Sequence, residues 1–395
     1  MMSKAPSRHV LIACVLLLCL GVMIYFYFKP SINILPYPEA TSSRYDVCSE
    51  ACIDILMVEN QGKIQNCTAE DKSVQPAAPA PEVQQKKELS PSDRAENILI
   101  LVWLWPFGER FSMDSCEAMY NVKGCHITED RSQYDNADAV LFHVRDIFND
   151  MENLRKLPRP PEQRWVWVNS ESPGWTPKLD GGEYLFNLTS NYRRDSDIRV
   201  PYGRVMKATK EERDSFKIPT KDKLVCWIVS HWEDKLWRSG YFNEFRKHIK
   251  VEGFGKHFGR EVNRDNYFNV ISSCKFYLSF ENSIFKDYIT EKVYNPLSLG
   301  TVPVVIGPPR KNYEEYLPAH SFIHVHDFST PKELADYLLH LDQNQALYEE
   351  YFTWRKYFIA KLGYAEEHAC RTCEYLKSYG LNYRVFNDVN GWFYD

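Results

Sequence analysis

From residue 96 onward, short apolar runs alternate with turn-forming polar clusters and with stretches of helical spacing. Residues 98–105 (ILILVWLW) form a near-continuous apolar run, the pattern of a parallel strand covered on both faces, and Pro106-Phe107-Gly108 ends it. Residues 137–143 and 164–169 predict two more strands. Val144-Arg145-Asp146 follows the first of these and Ser170-Glu171-Ser172-Pro173 the second. Residues 191–203 read as an irregular connection. Beyond Lys221, residues 224–230, 276–280, 301–307 and 321–325 predict strands, and residues 237–249, 330–341 and 344–361 predict helices. A further helix starts near Tyr288, after the Glu281-Asn282-Ser283 turn. Strands alternating with helices predict two similar α/β domains, with polar residues from the strand ends lining the cleft between them.

The first 95 residues follow a different pattern. Residues 10–28 (VLIACVLLLCLGVMIYFYF) carry no charge and lie between Lys4 and Arg8 on one side and Lys29 on the other. At helical rise this length just crosses a bilayer core, and no small-residue cleavage site follows, so an uncleaved signal anchor is expected. The positive head predicts a cytoplasmic N-terminus and a lumenal bulk, and the short span suits a Golgi-like bilayer. Residues 29–95 lose periodicity and contain Pro/Ala- and Gln/Lys-rich segments, as in a tethering stem. Asn66 opens a glycosylation sequon there and Asn187 opens a second one further on.

Composition narrows the picture. A formal net charge of −5 gives no support to nucleic-acid binding, and 44% hydrophobic residues suit a well-filled core. Eleven cysteines suggest an oxidising compartment. Cys370-Arg371-Thr372-Cys373 lacks a second Cys pair to complete a zinc site, so disulfides to distant partners are expected. The pairing of Cys48, Cys52 and Cys67 stays open.

The 274–309 stretch is the expected nucleotide site, because it places a polar turn and a helix start at the carboxyl end of a strand. Arg238 and Lys292 suit a diphosphate, with ordinary solvated helix charges as the alternative, and Glu291 suits ribose hydroxyls, with a first-turn glutamate that complements the helix dipole as the alternative. Tyr277, Tyr288 and Trp227 could pack a base or sugar face or could simply fill the core. Glu171, between an apolar strand and Ser-Pro, could be a general base or a surface turn residue. No metal site is assigned.

Residues 276–309 (FYLSFENSIFKDYITEKVYNPLSLGTVPVVIGPP) closely resemble the donor-site signature of the α-1,3-fucosyltransferases of glycosyltransferase family 10. LVWLWPFG, VNSESP, NYRRDSDI, KLVCWIVS and HACRTC extend the resemblance over residues 98–393, and it looks closest to the vertebrate Lewis-x-type enzymes. The resemblance implies a GT-B fold of two Rossmann-like domains, anchored as a single-pass type II Golgi membrane protein. The expected segments are a tail 1–9, anchor 10–28, stem 29–95, acceptor domain 96–205, GDP-fucose domain 206–361 and C-terminal tail 362–395 packed back on the acceptor domain.

The resemblance also implies inverting transfer from GDP-β-L-fucose to the 3-hydroxyl of N-acetylglucosamine in type 2 glycans on proteins or lipids. Glu171 would be the base, and Arg238 and Lys292 would hold the diphosphate. Tyr202, Ser230, Tyr277, Asn282, Tyr288 and Glu291 would complete the donor pocket. No cofactor is required, although Mn2+ or Mg2+ could stimulate turnover without a dedicated site, and a homodimer is compatible with the family. VLFHVRD resembles the acceptor motif and assigns His143, Arg145 and Asp146 to the acceptor, with Val144 replacing a second histidine. Glu109 replaces a glutamine after PFG, and Pro296 interrupts the helix after EKVYN. The implied disulfides are Cys116–Cys370, Cys125–Cys373 and Cys226–Cys274. Transfer to another acceptor, such as a core N-glycan, and a silent Golgi scaffold are the rival readings.

Overall fold

The computed structural model describes residues 97–379 and 385–394. The predicted anchor, the stem, Asn66 and Cys48, Cys52 and Cys67 lie outside them. The first half contains β1 (Ile98–Val102), β2 (Cys125–Thr128), β3 (Ala139–His143), β4 (Arg164–Val168), β5 (Leu188–Asn191) and β6 (Ile198–Arg199). They form one sheet in the order β2-β1-β3-β4-β5-β6, parallel throughout. Every residue of β3 and β4 is buried, as strands covered on both faces require.

β7 (Gly203–Lys207) leads into the second half, which contains β8 (Lys223–Ile228), β9 (Val251–Phe254), β10 (Cys274–Phe280), β11 (Val302–Ile306) and β12 (Ile323–His324). Its parallel order, β9-β8-β10-β11-β12, repeats the first sheet's β2-β1-β3-β4-β5. Each sheet therefore has a switch point, at β1/β3 and at β8/β10, outside whose carboxyl ends open α/β sheets take ligands. Two parallel sheets in one α/β unit give the GT-B-like arrangement that the resemblance implied.

Strand alternation divides the second core. Phe276, Leu278 and Phe280 of β10 join Val225 and Trp227 in a cluster with Phe242, Leu334 and Leu338. Tyr277 faces the other way, onto the Cys226–Cys274 disulfide and Ile271. Ser279 shares that face. The helix Glu367–Tyr379 packs Ala369, Cys370, Cys373 and Leu376 onto Ile98, Ile100 and Val102 of the first sheet. Disulfides Cys116–Cys370 and Cys125–Cys373 bolt it there, so all three implied pairings are present.

Pro296 lies inside the helix Glu291–Ser298, where it has no N–H to offer the carbonyl of Lys292. Ser279 Oγ donates to that carbonyl at 2.6 Å, which removes the penalty of an unpaired buried acceptor.

Three expectations are corrected. Residues 344–361 do not form one helix: Gln345–Glu350 is helical, Thr353–Lys356 is a single tight turn, and β13 (Phe358–Leu362) pairs antiparallel with β7. A strand partner about 150 residues away overrides the local pattern. Residues 191–203 are partly ordered as β6 and the start of β7. Asn187 is fully buried, and its Oδ1 accepts from Trp165 N–H at 2.8 Å and from Arg159, so the folded chain has no room for a glycan there.

Candidate active site

One half of the site grows from the carboxyl ends of β8 and β10. Glu281 directly follows β10 and is completely buried. Thr290, the N-cap of the helix Glu291–Ser298, donates to Glu281 Oε1 from both its N–H and its hydroxyl, each at 2.9 Å. Lys292 Nζ stands 3.4 Å from Glu281 Oε2 and 3.0 Å from Glu291 Oε1. Burial pushes the Glu281 carboxyl up, with Lys292 opposing it. Burial works against the Lys292 ammonium too, but Glu291 and Glu281 hold it above the usual lysine range. For Glu291, burial would raise the carboxyl, but Lys292 keeps it below its ordinary value.

Arg238 is the second residue of the helix Trp237–Phe245 and is 3% exposed. Its Nη1 donates to the Phe280 carbonyl at 3.1 Å and its Nη2 to the His231 carbonyl, while its buried Nε has no partner among the described residues. Burial lowers its pKa against the raising effect of Glu281, yet a guanidinium stays charged. A buried cation held by carbonyls, beside an ammonium already balanced by carboxylates, is suited to a further anion.

The opposite wall is the segment after β4. Asn169 fixes Glu171 at both ends: its Oδ1 accepts from Glu171 N–H and its Nδ2 donates to the Glu171 carbonyl, each at 3.1 Å. Tyr202 donates its hydroxyl to the Ser170 carbonyl. The buried Tyr288, from the other half, directs its hydroxyl at Glu171 Oε2, 3.4 Å away, and its ring packs against Tyr192 at 5.2 Å. Burial raises the Tyr288 hydroxyl far above its usual range, so it is a donor at neutral pH.

A second cluster lies at the other switch point. His143, ending β3, places Nδ1 2.6 Å from Asp146 Oδ2. Phe107 N–H donates to the same oxygen at 3.1 Å, its ring meets His143 edge-on at 4.8 Å, and the Arg145 guanidinium lies 5.5 Å from the ring centroid. Phe107 has a φ of 57°, a left-handed conformation that only surrounding contacts keep in place.

Thus Glu171, Tyr202 and Tyr288 come together, as do Arg238, Lys292 and Glu291. Ser230 is exposed just past β8 and Asn282 is half-buried just past β10. Tyr277 is not brought to the open cleft: strand alternation turns it under the sheet, 1% exposed, where burial raises its hydroxyl beside Tyr267. Glu109 is exposed and pairs with Arg264 of the other half at 3.3 Å.

Several residues of the site carry no motif of their own in the sequence. Glu281 was legible only as part of a turn, although an acid directly after a buried strand is a signal in itself. Asp287, 2% exposed with a φ of 64°, accepts from Arg194 N–H at 3.0 Å and so joins the halves. Ser172 and Ser283 hydroxyls meet at 2.5 Å across the same boundary. The Asp195-Ser196-Asp197 triplet has a metal-ligand look, but Asp195 is paired with Arg193 and Asp197 accepts from both Thr189 donors.

Two family models match the chain: "Fucosyltransferase, N-terminal" over residues 95–203 and "Glycosyltransferase family 10 (fucosyltransferase) C-term" over residues 218–392. The chain belongs to glycosyltransferase family 10. It is similar to the 4-galactosyl-N-acetylglucosaminide 3-alpha-L-fucosyltransferase 9 of Cricetulus griseus, 44% identical over the whole of this chain and 99% of the relative. The Homo sapiens enzyme of the same name is 43% identical with the same coverage. The 3-galactosyl-N-acetylglucosaminide 4-alpha-L-fucosyltransferase FUT3 of Pan troglodytes is 38% identical over 81% of this chain and 86% of its own length. The chain is a fucosyltransferase, and the family's two models leave residues 204–217 between them, the stretch that continues β7 toward the second sheet.

Proposed function

We propose that the enzyme transfers L-fucose from GDP-β-L-fucose to the 3-hydroxyl of N-acetylglucosamine in type 2 glycans, with inversion. Glu171 takes the proton of the 3-hydroxyl as that oxygen attacks the anomeric carbon. The bond from that carbon to the β-phosphate oxygen breaks, and GDP leaves with the added negative charge. Arg238 and Lys292 neutralise that charge, which grows as an oxocarbenium-like sugar forms. Glu291, at the first turn of the same helix, is suited to the ribose hydroxyls. His143, Arg145 and Asp146, with Phe107 beneath them, form the acceptor face.

The observation that carries this reading is the meeting of Tyr288 and Glu171, which joins the basic donor cluster to a carboxylate on the acceptor sheet. The type 2 preference draws on the higher identity to relatives whose names specify 4-galactosyl acceptors. Anchoring through residues 10–28, with the two sheets in the Golgi lumen, belongs to the same proposal, and so does any divalent-ion stimulation.

The test incubates the full-length chain in detergent with GDP-fucose and a panel of type 1, type 2, sialylated and core N-glycan acceptors. Transfer to the 3-hydroxyl of type 2 chains is expected. Transfer only to type 1 or core glycans would overturn the acceptor assignment. GDP binding without transfer to any acceptor would favour a silent scaffold.

A further inference from the structure

His368 lies in the first turn of the helix Glu367–Tyr379 and is 4% exposed. Its ring spans two strand ends of the first sheet. Nε2 is 3.0 Å from Ser170 Oγ, past the end of β4, and Nδ1 is 2.7 Å from Ser190 Oγ on β5. Ser170 is the residue immediately before Glu171. A neutral imidazole has one donor and one acceptor, and each serine hydroxyl can rotate to supply the complement, so both contacts are satisfied without charge.

The helix that presents this ring is bolted to the first half. Cys370 and Cys373, two and five residues further on, are bonded to Cys116 and Cys125. Glu367, beside the ring, is buried and engaged by Arg204 and Arg371. The imidazole therefore hangs from an anchored support and grips the one serine that leads directly into the carboxylate. Ser170 is held on its other side by Tyr202 through its carbonyl. Asn169 clamps the Glu171 backbone at its N–H and its carbonyl, so the Ser170 contact bears on the direction in which that clamped turn presents the carboxylate.

We propose that His368 is a positioning residue: through Ser170 Oγ, the C-terminal helix sets the direction of the Glu171 carboxylate. The proposal rests on the reading of Glu171 as the base. The competing role is that of a satisfied core histidine, which would matter for folding alone. Burial holds the ring neutral, with nearby His143 acting in the same direction, and this fits a fixed hydrogen-bonding role better than proton exchange.

Two isosteric variants separate these roles. In His368→Gln the side-chain amide reaches the Nε2 position and can keep the Ser170 contact. In His368→Asn it reaches only the Nδ1 position and keeps the Ser190 contact. Full-length protein is measured for kcat, acceptor KM, GDP Kd and melting temperature. His368→Asn should lower kcat roughly 10- to 100-fold, the scale of a misplaced catalytic group, with GDP Kd and acceptor KM nearly native. His368→Gln should recover most of that loss. Ser170→Ala should reproduce the Asn variant, and combining Ser170→Ala with His368→Asn should add little. Equal kcat for the Gln and Asn variants, or native kcat in Ser170→Ala, would overturn the proposal. Glu171→Gln is the control: if it turns over normally, the base assignment has failed. If it is silent while His368→Asn and Ser170→Ala keep native kcat, only the positioning role has failed.

Discussion

Tyr288 Oη and Glu171 Oε2 lie 3.4 Å apart although 117 residues separate them, and the contact ties the helix entry of one sheet to the strand exit of the other. Long for a hydrogen bond, it contributes about 0.5–1.5 kcal/mol at most, so Tyr288→Phe should lower kcat by no more than about tenfold. Glu171→Gln removes the base itself and should cost roughly 10²- to 10⁴-fold in kcat with GDP affinity retained. Steady-state kinetics alongside calorimetry of GDP binding checks both. If Tyr288→Phe were the more damaging of the two, the base would have to be sought elsewhere.

Lys292 is engaged twice, and its two roles can be pulled apart. Glu281 is fully buried and has Lys292 as its cationic partner at 3.4 Å. Lys292→Met should therefore destabilise the fold by about 3–5 kcal/mol, because a buried acid loses its counter-charge, and should abolish GDP binding. Adding Glu281→Gln should restore most of the stability, since a neutral amide can still accept from Thr290, but none of the GDP affinity. Denaturant unfolding and GDP titration of both variants decide the matter. Recovery of donor affinity in the double variant would mean that Lys292 acts on the fold alone.

Much of this arrangement was legible in the chain. Apolar runs such as ILILV and FYLSF mark covered parallel strands, and the polar Glu281 and Asn282 after FYLSF fall at a switch point, because a parallel sheet sends all its carboxyl ends one way. What escaped reading depended on distant partners. Residues 358–362 carry no local strand signal strong enough to compete with a helical neighbourhood and become β13 only because β7 lies alongside. Asn187 matches a sequon, but only the fold reveals that its side chain is spent on Trp165 and Arg159. His368 carries no motif of its own, and its contacts with Ser170 and Ser190 span 198 and 178 residues.

Buried histidines give the fold an acid-sensitive component. Burial lowers His368 to about 3 and also lowers His143, the latter against the opposing pull of Asp146. The unfolded chain takes up protons on both near pH 6.5, whereas the folded chain resists them. Stability should thus be lost as pH falls below about 6.5, by up to about 1.4 kcal/mol per pH unit for each histidine, and for His368 the loss continues toward pH 3. Glu281 works in the opposite sense, since its raised carboxyl pKa gives stability at low pH that is lost as pH rises. Comparing native protein with His368→Gln isolates one histidine: the urea-unfolding free energy of the variant should fall less steeply between pH 6 and pH 4. Parallel slopes for the two proteins would show that His368 is not excluded from protonation in the folded state.

The helix that carries Lys292 contains its own test of compensation. Pro296 cannot donate to the Lys292 carbonyl, and Ser279 Oγ takes that place from β10 at 2.6 Å. Ser279→Ala leaves the carbonyl unpaired in a buried site, at a cost of about 1–3 kcal/mol. Pro296→Ala alone returns an N–H to compete for the same acceptor and should change stability little, because Ser279 already satisfies it. With both substitutions, the new N–H replaces the lost hydroxyl, so the double variant should be more stable than Ser279→Ala alone. A double-mutant cycle by denaturant unfolding therefore gives a coupling of about 1 kcal/mol or more, opposite in sign to the loss from Ser279→Ala. Because the carbonyl belongs to Lys292, the same cycle run on GDP affinity reports whether this strand-to-helix bond also sets the ammonium's position. Additive stabilities would mean that the serine and the proline are independent, and that the helix bends to satisfy its own carbonyl.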